Sequence, residues 1–318
     1  MNLRQMECFL AVADELHFRR AADRLRLAPP SVSEAVAGLE RSLGSRLVER
    51  TSRRVQLTPF GAEFAAAIRP PIEALYQAHR TARLRSAQHR DLVVAHTPEL
   101  GRLILPGLVD AWPAATAGDD EARNRWRPVP MHTPEQLAAV ADGEVDVGLC
   151  WSVPEQPGIA SAVLGEFPLV AVLQASDPLA SRREVALADL RTRQILITPR
   201  ADNPYLDTRL QADITRAGIP RTRVEEVARY DEMAVHVATR GHVGIHPGPI
   251  ALTNTLPAVV FRPIADASDR VRICAISHAE ARTDSIVALV ESLRSIVGAL
   301  DVGGAVDGSA VDVGGAVG

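Results

Sequence analysis

A chain of 318 residues exceeds one average domain and predicts at least two folded units. No run approaches the ~18 consecutive apolar residues of a membrane span. No apolar core follows Met1-Asn-Leu-Arg-Gln-Met-Glu as a signal peptide requires, and Cys8, Cys150 and Cys274 are too scattered for a disulfide or metal framework, so a reduced, cytoplasmic setting away from membranes is expected. The formal net charge of −4 hides an asymmetry. Residues 1–90 hold 15 arginines against 9 acidic residues, and the remaining 228 hold 20 against 30. A basic head on an acidic body is expected when a phosphate-binding module is fused to another function.

In the head, Leu3, Met6, Phe9, Leu10 and Ala13 recur at helical spacing. So do Phe18, Ala21, Ala22 and Leu25, and then Val32, Val36, Leu39 and Leu43. The second and third segments are separated by Arg26-Leu27-Ala28-Pro29 alone, the pattern of a helix-turn-helix whose second helix enters a DNA groove. With Val32, Val36, Leu39 and Leu43 inward, Pro30, Glu34, Ala37, Gly38 and Arg41 point out, Ser31 and Ser33 lie at the margins, and Gly44 ends the helix. Serine hydroxyls and helix N-terminal amides position phosphate but carry little sequence information. Leu47-Val-Glu-Arg, a turn through Thr51-Ser52-Arg53-Arg54 and Val55-Gln-Leu-Thr form a hairpin whose Arg50, Arg53 and Arg54 suit the DNA backbone or minor groove. Thr58-Pro59 then reads as N-cap and first residue of a helix striped with Phe60, Phe64, Ile68, Ile72, Leu75 and Ala82. About 30 residues give a rod of ~45 Å, which needs a partner along its stripe. Pro70-Pro71 is expected to kink it or split it in two.

Six ordered blocks carry a family resemblance. They are Phe9-Leu-Ala-Val-Ala, Leu16-His-Phe-Arg-Arg-Ala-Ala-Asp-Arg-Leu, Pro30-Ser-Val-Ser-Glu, Leu39-Glu-Arg-Ser-Leu-Gly, Leu47-Val-Glu-Arg-Thr and Val55-Gln-Leu-Thr-Pro-Phe-Gly. The series resembles the winged helix-turn-helix of the LysR-type transcriptional regulators, and the later pattern is similar to that family out to about residue 300. Where many family members carry glutamine and arginine, this chain has Pro29 and Glu34. Glu34 suits a cytosine amino group, and the missing arginine argues against guanine readout, so shape and wing contacts are expected to matter more. The candidate DNA contacts are Arg20, Pro29, Pro30, Ser31, Ser33, Glu34, Arg50, Arg53 and Arg54.

From Leu92 short β-rich runs alternate with helices. Leu92-Val-Val-Ala leads to a helix opened by Thr97-Pro98 and running through Trp112, and Thr133-Pro-Glu-Gln136 reads as a capping box for a second, ended by Gly143. Val145–Cys150, Phe167–Leu173, Gln194–Thr198, Val224–Ala228 and His242–His246 are expected strands, with helices near Pro204–Ala217 and Asp231–Arg240. This is an open α/β pattern. The resemblance implies a type 2 periplasmic-binding-protein-like effector domain of two subdomains, crossed near residues 158–164 and again near 260–266.

Ligands in such sheets lie beyond the carboxyl ends of strands. That rule selects Thr97, Trp151, Thr198, Arg200, Asn203, Tyr205 and His246. Helix N-termini and one arginine favour an anion there; carboxylates, aromatic acids and amino acids all fit. His242 and His246 would stand roughly 13 Å apart in a strand, too far for one metal ion, and no cofactor is expected. Cys150 sits at the cleft without a cysteine nearby in sequence, whereas Cys8 and Cys274 fall on apolar core faces.

The expected architecture is α+β multidomain. A winged helix-turn-helix spans 1–58, a linker and dimerisation helix 59–89, an effector-binding domain 90–300 and a low-complexity, disordered tail 301–318, where Asp301-Val-Gly-Gly-Ala-Val recurs from Asp312. The implied protein is a homodimer or homotetramer that binds double-stranded promoter DNA under a small-molecule effector. Closure of the subdomains would pass through the linker helices to head spacing. The rival is an architectural DNA-binding protein that needs no ligand. An enzyme is not expected, since no nucleophile elbow, phosphate loop or metal-ligand cluster occurs.

Overall fold

A computed structural model describes residues 2–25, 27–50, 55–86, 91–115, 126–281 and 283–306. The chain divides into two compact units, Met1–Ala82 and Arg83–Gly318.

In the first unit, α1 (Leu3–Glu15) opens on a reciprocal cap between Asn2 and Gln5. Its turn into α2 (Phe18–Arg24) passes through Leu16 in the left-handed region, φ 47°. Helix α3 (Pro29–Leu43) starts with proline, where a missing N–H costs nothing, and ends at Gly44 with φ 68°. Phe9, Val12, Ala21, Val32, Val36 and Leu39 are all fully buried, as the helical spacing requires.

Strands β1 (Val48–Arg50) and β2 (Val55–Leu57) pair antiparallel. Glu40 of α3 fixes this wing, its Oε1 accepting from the N–H groups of Leu47 at 2.8 Å and Val48 at 3.1 Å. Thr58 caps α4 (Pro59–Ser86), accepting from the Gly61 N–H at 2.8 Å. Helix α4 is continuous through Pro70 and Pro71, so the expected split does not occur. Each proline removes the bond to the carbonyl four residues back and crowds that carbonyl, a local cost that packing can offset. The flanking turns are held from outside, because Ile68 and Ile72 are buried in the head's core and Arg69 reaches Asp14 at 2.6 Å.

The second unit contains two five-stranded sheets. Strand β3 (Leu92–His96) leads to α5 (Pro98–Ala115), β4 (Trp126–Pro130), α6 (Thr133–Ala141) and β5 (Val147–Trp151). Then come β6 (Ile159–Phe167), β7 (Leu169–Gln174), β8 (Ile195–Ile197), α7 (Pro204–Arg216), β9 (Val224–Glu226), α8 (Tyr230–Arg240) and β10 (Val243–Pro247). Strands β11 (Val259–Pro263) and β12 (Val271–His278) precede α9 (Asp284–Gly298) and α10 (Val302–Val306). The sheet orders are β4-β3-β5-β12-β6 and β11-β7-β10-β8-β9. Parallel strands β4, β3 and β5 lie beside antiparallel β12 in the first, and parallel β10, β8 and β9 beside antiparallel β7 in the second.

Three sequence expectations need correction here. Residues 158–164 are not the crossover; all but the first belong to β6, and the chain changes sheets at Pro168. Strand β6 buries few of its side chains and lacks an alternating pattern, and Pro168 divides the single expected run from Phe167 to Leu173. The α6 cap is His132 with Glu135, one residue earlier than Thr133 with Gln136. Gln136 is instead fully buried, donating to Met131 and Leu149 carbonyls. Finally, the tail is ordered at its start, with Val302 of α10 buried in the core; residues 307–318 lie outside the described set.

Asp177, after β7, is paired with Arg193 and accepts from the Leu179 N–H. Burial alone would push its carboxyl up, but the Arg193 guanidinium and the Leu179 amide together hold it below the ordinary value of 3.8. Because the folded value is the lower one, the stabilisation is present above about pH 3.8 and is lost as pH falls below it. Asp177→Asn is expected to cost about 1–3 kcal/mol at pH 7. In denaturant titrations the gap from wild type should narrow below that pH; a constant gap would mean the pair contributes no linkage.

Candidate functional site

In the head, Pro29, Pro30, Ser31 and Glu34 are exposed and Ser33 is half-buried, so the N-terminal part of α3 is an open surface. Ala28 occupies the N-cap with no side-chain bond, which leaves both serine hydroxyls uncommitted to capping. Arg20 is exposed and lies 3.3 Å from Glu15. The backbone of Arg50 ends β1, whereas its side chain and the turn carrying Arg53 and Arg54 lie outside the described residues.

The body holds a cavity between its two sheets. The first subdomain supplies Thr97, Glu99, His132, Thr133 and Trp151 to its wall. The second supplies Thr198, Asp202, Asn203, Leu206, His246 and Pro247. Five of the seven expected lining residues therefore meet: Thr97, Trp151, Thr198, Asn203 and His246. Arg200 and Tyr205 do not line it. Arg200 is exposed and turns to Asp207 at 3.5 Å, and the Tyr205 hydroxyl accepts from Arg209 at 2.8 Å on the same helix. A loop arginine and a helix-surface tyrosine found partners nearer than the cleft.

Glu99, His132, Thr133 and Asp202 went unforeseen. Glu99 stands in the first turn of α5, His132 caps α6 and Asp202 lies in the turn before α7, positions that read locally as helix-end and turn residues rather than as cavity wall.

Contacts cross the cleft at several points. His132 Nδ1 lies 3.2 Å from Asp202, the Thr133 N–H donates to the Asp202 carbonyl at 3.1 Å, and Asn203 Nδ2 donates to the Trp151 carbonyl at 2.5 Å. The space within it is about 30 Å3, room for roughly two waters, so an aromatic acid would have to widen it. Thr97 is only 4% exposed and its hydroxyl has no hydrogen-bond partner. Burial drives the His246 imidazole toward its neutral form against the pull of Glu99, and its ring stands edge-on to Tyr230 at 5.7 Å. Burial raises the Asp202 carboxyl, and Glu99 and Glu226 add to that rise against His132.

Behind the Thr133 wall, Cys150 is fully buried and donates to Gln136 Oε1 at 3.1 Å. Its cross-strand partner is Cys274, a proximity the sequence separation concealed. Burial pushes both thiols up, so each is held protonated and unreactive.

The family model described as bacterial regulatory helix-turn-helix protein, lysR family, matches residues 3–62. That of the LysR substrate binding domain matches residues 85–297. This chain belongs to the LysR family of transcriptional regulators. It is a DNA-binding regulator whose head is joined to an effector-binding body. Among similar LysR-family proteins, the uncharacterized regulator YnfL of Escherichia coli is 32% identical over 223 residues, 67% of this chain and 70% of its own. The regulator BenM of Acinetobacter baylyi is 28% identical over 301 residues, 93% and 96% of the two chains. The crystal structure of full-length BenM superposes with a TM-score of 0.58 at 25% identity, covering 94% of this chain and 97% of that one. For CbnR, a LysR family transcriptional regulator, the TM-score is 0.53 at 25% identity, covering 92% and 100%. Among the described residues, no helix is long and apolar enough to cross a membrane.

Proposed function

We propose that this regulator reads paired promoter half-sites with the N-terminal face of α3 and the wing, and that an effector in the cleft cavity controls that binding. On the DNA side the contacts are Arg20, Pro29, Pro30, Ser31, Ser33 and Glu34, with Arg50, Arg53 and Arg54 of the wing on the backbone or minor groove. Thr97, Trp151, Thr198, Asn203 and His246 line the effector site. The observation that carries the effector reading is the buried, unpartnered Thr97 hydroxyl on the wall of a cavity shared by two subdomains. A polar group in that position costs free energy unless a ligand or water satisfies it.

Residues 59–89 serve as a linker that pairs between copies in a homodimer or homotetramer. Leu75 and Tyr76, exposed beyond the head's core at 52% and 38%, offer the apolar surface for that pairing. The setting is the cytoplasm. Effector binding shifts the equilibrium between closed and open cleft, and α4 carries the change to head spacing.

A nuclease footprint upstream of the protein's own gene tests this reading. Two spaced protected half-sites are expected for wild type. An Arg53→Ala, Arg54→Ala double variant should bind at least about 10-fold more weakly, with the salt slope of log K reduced by about 2. Absence of protection by folded protein at modest salt would overturn it.

A further inference from the structure

The charges around the cleft cavity point away from the anion that helix N-termini alone suggested. Among the described residues, its wall carries two carboxylates, Glu99 and Asp202, and no arginine. The arginines nearest in sequence are committed elsewhere, Arg102 to Asp231 at 3.4 Å and Arg200 to Asp207 at 3.5 Å. Each helix N-terminus at the cavity is already matched. Glu99 sits in the first turn of α5, Glu135 accepts from the His132 N–H before α6, and Asn203 accepts from the Leu206 N–H in α7. An anion would gain little from those dipoles and would face two like charges on the cavity wall. Independently of the acids, the Thr97 hydroxyl is buried, unpartnered and on the same wall.

We infer that the effector carries a cationic group, an ammonium or amidinium, held by Glu99 and Asp202, with an apolar or aromatic part against Trp151 and Leu206. This rests on the cavity being the effector site. The Thr97 hydroxyl, an acceptor as well as a donor, takes one N–H of the cation. Neutral His246 adds no competing charge. The same cation competes with His132 for Asp202, so binding replaces a cross-cleft contact as the cavity widens. Specificity comes from both signs of interaction, since the two carboxylates also repel acids of the same shape.

The test titrates full-length protein with benzylamine, benzyl alcohol and benzoate, which share one ring and differ in charge. Calorimetry should give benzylamine at least about 10-fold tighter binding than benzoate, about 1.4 kcal/mol of discrimination or more. Glu99→Gln should erase most of that preference by weakening benzylamine and strengthening benzoate, and Asp202→Asn should act in the same direction. Benzoate binding as well as benzylamine, binding by none of the three, or benzylamine affinity indifferent to both variants would each overturn the cation. Thr97→Val separates the two levels. If benzoate wins and Thr97→Val weakens it, the cavity stands as the effector site and only the charge assignment fails. If whatever binds ignores Thr97→Val, Glu99→Gln and Asp202→Asn alike, the cavity itself is the wrong site.

Discussion

Phe9→Ala is expected to unfold the head while leaving the body folded. Phe9 is completely buried, and its ring lies 5.9 Å from that of Phe64, tying α1 to α4. Truncating such a side chain costs about 3–5 kcal/mol, the transfer term plus the cavity left behind. A unit spanning Met1–Ala82 commands a total of about 4–12 kcal/mol, so the loss takes a large share of it and, toward the lower end of that range, all of it. Calorimetry should lose the head's transition and keep the body's, and DNA retention should vanish while ligand-induced stabilisation of the body persists. A single transition that moves as a whole would show instead that the two units fold cooperatively.

Gly61→Ala should be almost as damaging for the opposite reason, an atom too many. Gly61 is buried at the start of α4 over the strand that begins the wing. A Cβ there would stand 2.9 Å from the Leu47 carbonyl carbon and nearer still to its oxygen. That oxygen already accepts from the Thr58 N–H at 3.0 Å, so backbone must move rather than a side chain. Overpacking that no rotamer relieves falls at or above the upper end of the usual range, about 3 kcal/mol. The wing should leave its place on the head even where the domain stays folded, and half-site protection should fall with it. Gly38→Ala is the control, because the one close approach of its Cβ, 2.7 Å, is to the side-chain amide nitrogen of Gln5 rather than to backbone. In mid-helix alanine gains up to about 1 kcal/mol over glycine, so that variant should be neutral or more stable. Equal damage from both substitutions would remove the backbone clash as the cause.

Much of the molecule was legible from local pattern. The α3 face that buries Val32, Val36 and Leu39 follows from a period of 3.6, and the Thr58 cap and the Gly44 stop follow from residue type. Strand ends followed by helix starts placed Thr97, Thr198, Asn203 and His246 near one another without any knowledge of the sheet order. Errors arose where a partner or packing contact that residue type and periodicity do not reveal decided the outcome. Arg200 looked free until Asp207 was seen to hold it, and Cys150 looked solitary although Cys274 lies across the ladder. Pro70-Pro71 read as a break because local propensity omits the packing of Ile68 and Ile72 that keeps the helix whole.

By itself, then, the sequence determined the helix-turn-helix, the wing, the βα alternation of the body and the kind of protein they make. Those features depend on periodicity and on residues a few positions apart, which any reader of the chain can see. Only the tertiary structure decided which charged groups the cleft cavity brings together. Its wall joins Glu99 and His132 to Asp202 and His246, groups from two subdomains up to 147 positions apart. Electrostatic interaction depends on distance in space, so the sign of the charge awaiting a ligand became visible only when those groups were brought face to face.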